Sequence, residues 1–371
     1  MTNREAMLAI LTYQDFDRVP VVHFGYWGET LQKWRDEGHL TDAEIAGYGD
    51  GNAVDDALAK KLGFDFNWQS MYYMNTGLRP SFESKVIEEL PDGSRTVLNG
   101  DGMIILVKEG AGSIPAEIDH LLKDRAAWEE HYLPRLQFDA DRVSQPELEL
   151  LRDDSGRENP IAIHCGSLYG QIRNWLGVTG SSYLYADDEE LYTDIIDTVG
   201  DLCFQCVDMA LASGAKFDFA HFWEDICFKN GPLVKPSVFE EKVGPHYRRI
   251  TERVSKAGIE IVSLDCDGCI DRLVPIWLEN GVNTMFPIEV GTWNASIAPW
   301  REKYGKALRG VGGMDKRVFA QNHAAVDAEV ERLKPLVEMG GYIPCPDHRI
   351  PPDAEWDNVR YYCDRMHAAF G

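Results

Sequence analysis

Positive charge is scarce in this chain: 37 Lys and Arg stand against 61 Asp and Glu in 371 residues, a formal net charge of −24. Binding a phosphate backbone needs clustered Lys and Arg to displace counterions, so nucleic acid is not an expected partner. Long apolar runs are missing too. None approaches the ~20 residues that span a bilayer, and Met1-Thr2-Asn3-Arg4-Glu5-Ala6 opens the chain without the apolar core of a signal peptide. Cysteine is sparse at eight residues, too few for a disulfide scaffold in a chain this long and suited to a reducing compartment. A cytoplasmic location is therefore expected, where the sequon Asn294-Ala295-Ser296 has no glycosylation meaning. Low-complexity tracts and internal repeats are also lacking.

What the sequence does have is alternation of strand-like and helix-like segments, which favours a parallel sheet with helical crossovers. Eight candidate strands fall at 19–26, 64–69, 161–165, 217–223, 259–265, 284–288, 308–312 and 342–345. Eight βα units close most naturally into a barrel, so the expected class is α/β, a (β/α)8 TIM barrel forming one domain over 1–371. Between the second and third units, alternation broken by Asp92-Gly93 and Asp101-Gly102 predicts an antiparallel hairpin insert at about 78–110. Helices are clearest at 237–257, with Pro236 before and Gly258 after, and at 187–213. The polar stretch 139–158 reads as a helix with a surface loop.

Two strand ends carry unusual chemistry. The run 259–262 delivers Asp265, Cys266, Asp267 and Gly268 to a turn, with Asp265 and Asp267 on one face and Cys266 on the other. Gly341-Tyr342-Ile343-Pro344 similarly delivers Cys345, Asp347 and His348. In a barrel, catalytic groups come from the C-terminal strand ends. Those ends here supply His23 and Tyr26, His164, Trp223 with Glu224 and Asp225, Glu289, and Met314 with Asp315. An apolar neighbour such as Trp223 raises a carboxyl pKa toward proton-donor range. Blander roles stand beside these: Asp265 or Asp267 as a helix cap, Glu224 and Asp225 on a solvated loop, and His348, His164 and His23 as structural hydrogen-bonders. Cys203 and Cys206 lie in a helical pattern and read as core. Gly310-Val311-Gly312-Gly313 lacks the Lys-Ser/Thr of a phosphate loop. Tyr26, Trp27, Trp68, Tyr72, Tyr73 and Trp293 are candidate walls for a flat ligand.

Asn3-Arg4-Glu5 with Arg18-Val19-Pro20-Val21, Trp223-Glu224-Asp225-Ile226, Asn230-Gly231-Pro232, Asp265-Cys266-Asp267-Gly268 and Gly341-Tyr342-Ile343 together resemble the uroporphyrinogen decarboxylase superfamily. The resemblance implies a (β/α)8 barrel. The porphyrinogen decarboxylases of that superfamily carry a Met-Arg-Gln-Ala-Gly-Arg type segment after the first strand, whereas this chain has His23-Phe24-Gly25-Tyr26-Trp27-Gly28-Glu29, with no arginine. It more resembles the methyltransferase branch, which implies methyl transfer between a small molecule (tetrahydrofolate, a methylamine or a methyl ether) and a corrinoid. No Asp-x-His-x-x-Gly cobalamin signature is present, so the corrinoid is expected on a separate protein. Thiol-methylating members carry a His-x-Cys zinc pair where this chain has Asp265 and Asp267, with Cys345 near the position of a later Cys ligand. On this reading Asp267, Glu224, Asp225 and His348 are the catalytic candidates. His23, Tyr26, Trp27, His164, Trp223, Glu289, Met314 and Asp315 contact substrate, and Asp265, Asp267 and Cys345 form a candidate zinc site. Two alternatives remain: a decarboxylase or other lyase for a non-porphyrin acid, anchored by Lys316, Arg317 or Arg349, and a non-catalytic corrinoid or small-molecule binding protein.

Overall fold

Buried parallel strands need apolar residues on both faces, and the expected segments supply them. Each of the eight contains at least one strand in the computed structural model, which describes residues 1–108 and 116–371. In chain order the strands are β1 (Val22–His23), β2 (Phe66–Asn67), β3 (Met71–Tyr72), then β4 to β7 (Lys85–Glu89, Arg95–Leu98, Met103–Val107, Ala116–His120). They continue with β8 (Ala162–His164), β9 (Phe219–Trp223), β10 (Cys227–Phe228), β11 (Gly231–Pro232), β12 (Val262–Asp265), β13 (Thr284–Phe286), β14 (Arg309–Met314) and β15 (Tyr342–Pro346).

Seven strands form a parallel sheet in the order β15-β14-β13-β12-β9-β8-β3, and β1 pairs with β2, also in parallel. Backbone bonds from Trp27 to Ile350 (3.2 Å) and from Ile350 to Gly25 (3.0 Å) tie the segment after β1 to the segment after β15. The register aligns His164 with His221 and Ser263, and two residues further along, on the same face, it aligns Trp223 with Asp265 and Phe286. Paired residues of parallel strands share a face, so the polar groups at these strand ends gather on one side of the sheet.

The region expected to hold a hairpin is a four-stranded antiparallel sheet, β4-β5-β6-β7. Its turns use Gly93 and Gly102 at positive φ, and the expectation at 109–110 lies outside the described residues. The fourth strand, β7, had no counterpart in the sequence reading. The helix predicted at 237–257 is two helices, Pro236–Lys242 and Gly244–Lys256. Gly244-Pro245 explains the break, because proline removes a backbone donor and suits a helix start. The helix expected at 187–213 spans Glu189–Ala212, and the side chain of Asp188 caps it by accepting from the amide of Leu191. It buries Cys203 and Cys206. Within 139–158 a short helix, Gln145–Leu150, forms. Among the described residues no helix is long and apolar enough to cross a membrane.

Candidate functional site

At the C-terminal ends of the strands lies a cavity of about 370 Å³, a size suited to a small molecule. Phe24, Trp27, Tyr73 and Trp223 give it aromatic walls, and Asp225, Asp265 and Asp267 bring three carboxylates into it. Each of the three offers an oxygen within 4.8 Å of the other two. Protein groups lie against one oxygen of each. The Asp267 amide donates to Asp225 Oδ1 (3.1 Å), Gln69 Nε2 donates to Asp265 Oδ2 (2.9 Å), and His348 Nε2 lies 3.1 Å from Asp267 Oδ2. Asp267 Oδ1 is buried with no partner among the described residues.

Like charges this close oppose one another's ionisation. Burial, then the charge of Asp267, pushes the Asp225 carboxyl up to about 6. Burial, then Asp225 and Asp267, pushes Asp265 well above the ordinary aspartate range. Cations in the surroundings only partly offset this. Arg349 lines the cavity but forms a two-point pair with Asp50, through Nη1 to Oδ1 at 3.0 Å and through Nη2 to Oδ2. Arg173 acts on Asp225 from outside the lining. Lys316, its own pKa lowered by burial, feels Asp347, Asp267 and Glu289.

The expected site residues divide sharply. Asp225, Asp267, His348, Asp265, Trp27, His164 and Trp223 all line the cavity. His348 is held between aromatic groups, stacked on Trp27 (5.7 Å between centroids) and edge-on to Phe24 (5.4 Å). Burial depresses the His164 pKa to about 4, so this ring is neutral at pH 7.

Glu224, expected as a catalytic acid, points elsewhere. It is fully buried and accepts from the amides of Leu168 (2.9 Å), Tyr169 (2.9 Å) and Gly170 (2.6 Å) and from the Tyr247 hydroxyl. Its carboxyl is thus spent on satisfying the start of the helix Gly170–Asp187, where unpaired amides need acceptors. Cys345 is also corrected: its thiol is buried on β15, and Asp265 and Asp267 group with Asp225 instead. The resulting donor set is all oxygen. It fits a hard cation, whereas zinc prefers Cys and His, so the expected zinc set is not assembled.

Five further residues expected at the site lie outside the lining. His23 and Tyr26 are buried beneath it, with His23 Nδ1 accepting from the Gly25 amide at 3.1 Å. Glu289 braces the turn after β12, accepting from the Gly268 amide and from Thr292 Oγ1 (2.7 Å). Met314 is core, and Asp315 is paired with Arg317 at 2.7 Å. Of the candidate aromatic walls, only Trp27 and Tyr73 line the cavity.

Sequence reasoning missed Asp50, Gln69 and Phe24. Asp50 sits in Gly47-Tyr48-Gly49-Asp50-Gly51-Asn52, and that glycine-rich polar run is the signal that marks it. Gly25, at φ +84°, permits the close approach: a Cβ there would lie 2.4 Å from Asp50 Oδ1 and 2.9 Å from Arg349 Nη1.

Residues 176–369 match the family described as uroporphyrinogen decarboxylase (URO-D). A methyltransferase from Methanosarcina mazei has a similar structure, with 15% identity and a TM-score of 0.61, covering 100% of this chain and 99% of that one. A B12-independent methionine synthase from Shewanella sp. W3-18-1 superposes with a TM-score of 0.49 and 11% identity, covering 95% of this chain and 98% of that one. No curated protein sequence matches the chain.

Proposed function

The chain belongs to the uroporphyrinogen decarboxylase family, and within it we propose a methyltransferase of corrinoid-dependent one-carbon metabolism. It moves a methyl group between a small molecule (a folate, a methylamine or a methyl ether) and a corrinoid carried by a separate protein. We read 1–371 as one (β/α)8 barrel domain, with the antiparallel sheet as an insert after the second unit.

The observation that carries this reading is the trio Asp225, Asp265 and Asp267 in a lining whose arginine is already tied to Asp50. A polycarboxylate porphyrinogen would meet charge of its own sign. A lyase for a smaller acid would need an unpaired cation at the substrate, and neither Lys316 nor Arg317 is in the lining. Methyl transfer from an amine or ether needs an activated leaving group. Asp225, which titrates at about 6, is suited to hold or release a proton near neutrality, and His348 fixes Asp267 beside it. A corrinoid supplies the methyl-carrying centre when its protein docks. Trp27 and Tyr73, 39% and 50% exposed at the rim, offer flat apolar faces toward it.

The test is to mix the protein with reduced cobalamin and a panel of methyl donors and to follow the loss of the cobalt(I) absorption. Turnover with at least one donor, slowed at least tenfold by Asp225→Asn, is expected. Donor binding without turnover would instead identify a barrel that only binds.

A further inference from the structure

We propose that the ligand of this cavity is a small organic ammonium ion, an N-methylated amine whose charge is neutralised by Asp225, Asp265 and Asp267 and whose methyl groups pack on the aromatic walls. This narrows the methyl-transfer reading and rests on it.

Two independent features of the cavity point the same way. The first is charge. Of the four lining carboxylates, Asp50 is satisfied by Arg349, and the other three face one another. Asp265 is only 4% exposed yet reaches the cavity, with Oδ2 held by Gln69 and no donor on Oδ1 among the described residues. Asp267 likewise keeps Oδ1 without a partner among the described residues. Three carboxylates this close, with Asp265 buried and Asp225 and Asp267 half-buried, either share protons or take up a cation.

The second feature is the wall. Trp27, Phe24, Tyr73 and Trp223 line the same space. Aromatic faces attract organic cations through the ring quadrupole and pack on methyl groups. A bare metal ion gains little from four aromatic rings, and a neutral ligand leaves the charge of three carboxylates unbalanced. An alkylated ammonium uses both. The groups whose charges bear on the trio are Arg173 and His348 against Asp225, Lys316 and Glu289 against Asp267, and Arg349 against Asp265, and His348 Nε2 also lies 3.1 Å from Asp267 Oδ2. In this arrangement Asp225 and Asp265 give up protons as the cation enters, and the charge of the trio neutralises the bound ammonium.

The test is isothermal titration of the full-length protein with choline and with its neutral isostere 3,3-dimethylbutan-1-ol, in amine-free phosphate buffer with EDTA at pH 7.5. Choline is expected to bind saturably at 1:1, at least tenfold more tightly than the isostere. Asp265→Asn and, separately, Trp223→Leu should each weaken it at least tenfold, whereas the remote surface variant Asp42→Asn should not. Circular dichroism verifies that each variant is folded, and having one polar and one aromatic variant keeps the test informative if either misfolds. Choline affinity should also fall at least fivefold between pH 7.5 and pH 5. Equal binding of the two isosteres, or no choline binding to folded wild type, overturns the proposal. So does displacement of choline by Mg²⁺ or Mn²⁺ at equal stoichiometry in EDTA-free buffer, which would identify a metal site. The parallel cobalamin assay separates the two claims: turnover of a neutral methyl ether without choline binding sinks the ammonium alone, and choline binding without turnover of any donor sinks methyl transfer alone.

Discussion

Asp225→Asn should stabilise the protein at neutral pH while slowing its turnover. The native environment raises the Asp225 carboxyl from the ordinary aspartate range to about 6. Between the unfolded and folded values the native state keeps a proton that the unfolded chain has released. Stability therefore falls as pH rises through this window, and the cost is complete above about 6. A gap of about two pH units corresponds to roughly 3 kcal/mol. Asparagine cannot ionise, and its Oδ1 can still accept from the Asp267 amide. The variant should match wild type near pH 4 and exceed it by about 3 kcal/mol at pH 7.5. At about 2.1 cal/mol/K of unfolding entropy per residue, that is roughly 4 °C in Tm for a chain of this length. The assay is thermal unfolding of both proteins from pH 4.5 to 8, in amine-free buffer with EDTA so that no cation fills the trio. Asp55, also raised to about 6 by burial, contributes equally to both proteins and cancels in the difference. A Tm difference that is flat with pH, or a variant less stable than wild type at pH 7.5, would refute the claim that the trio stores electrostatic repulsion.

Glu224→Ala should cost about 3–5 kcal/mol in urea unfolding, because three buried amides and the Tyr247 hydroxyl lose their acceptor; a loss below 1 kcal/mol with activity abolished would restore Glu224 to the chemistry. Gly170→Ala should destabilise by about 3 kcal/mol or more, since its Cβ would lie 1.9 Å from the Glu224 carbonyl oxygen; the same urea titration checks it, and wild-type stability would contradict the packing described. Arg349→Met frees the Asp50 carboxylate in a partly buried setting and should cost about 1–3 kcal/mol. The added negative charge should also tighten choline binding, which calorimetry would show.

The strands were legible because parallel strands buried on both faces read as continuous apolar runs. Phe219–Trp223 and Tyr342–Pro346 are buried almost throughout. The Asp-Gly turns marked the antiparallel region because glycine tolerates the positive φ that those turns require. The site was half legible. Asp265 and Asp267 could be read as facing one way from strand alternation. Asp50, however, meets Arg349 across 299 residues, a contact that no local pattern encodes. Cys345 illustrates the opposite failure. Its place in the chain suggested a ligand, yet chain position alone does not say which way a buried thiol points.

The contrasting fates of Glu224 and Asp225 follow from one turn of the backbone. β9 ends at Trp223, and the Glu224 amide still bonds to the Asp265 carbonyl at 2.8 Å, as a strand residue would. Asp225 then adopts φ +49°, a left-handed conformation that aspartate tolerates better than most residues. That reversal separates two neighbouring carboxyls, one turned to the helix start at 168–170 and the other to the cavity. Gly170 lets the helix come close enough to receive Glu224, and the cluster of amides around Glu224 pins the backbone that aims Asp225. Likewise Gly268, at φ +84°, fits against the Cys227 carbonyl, where a Cβ would sit 2.5 Å away, and so sets the turn that carries Asp267. The charge repulsion within the trio is therefore borne by packing just outside it, in residues that never touch the ligand, and loosening Glu224 or Gly268 should misplace the carboxylates before it unfolds the chain.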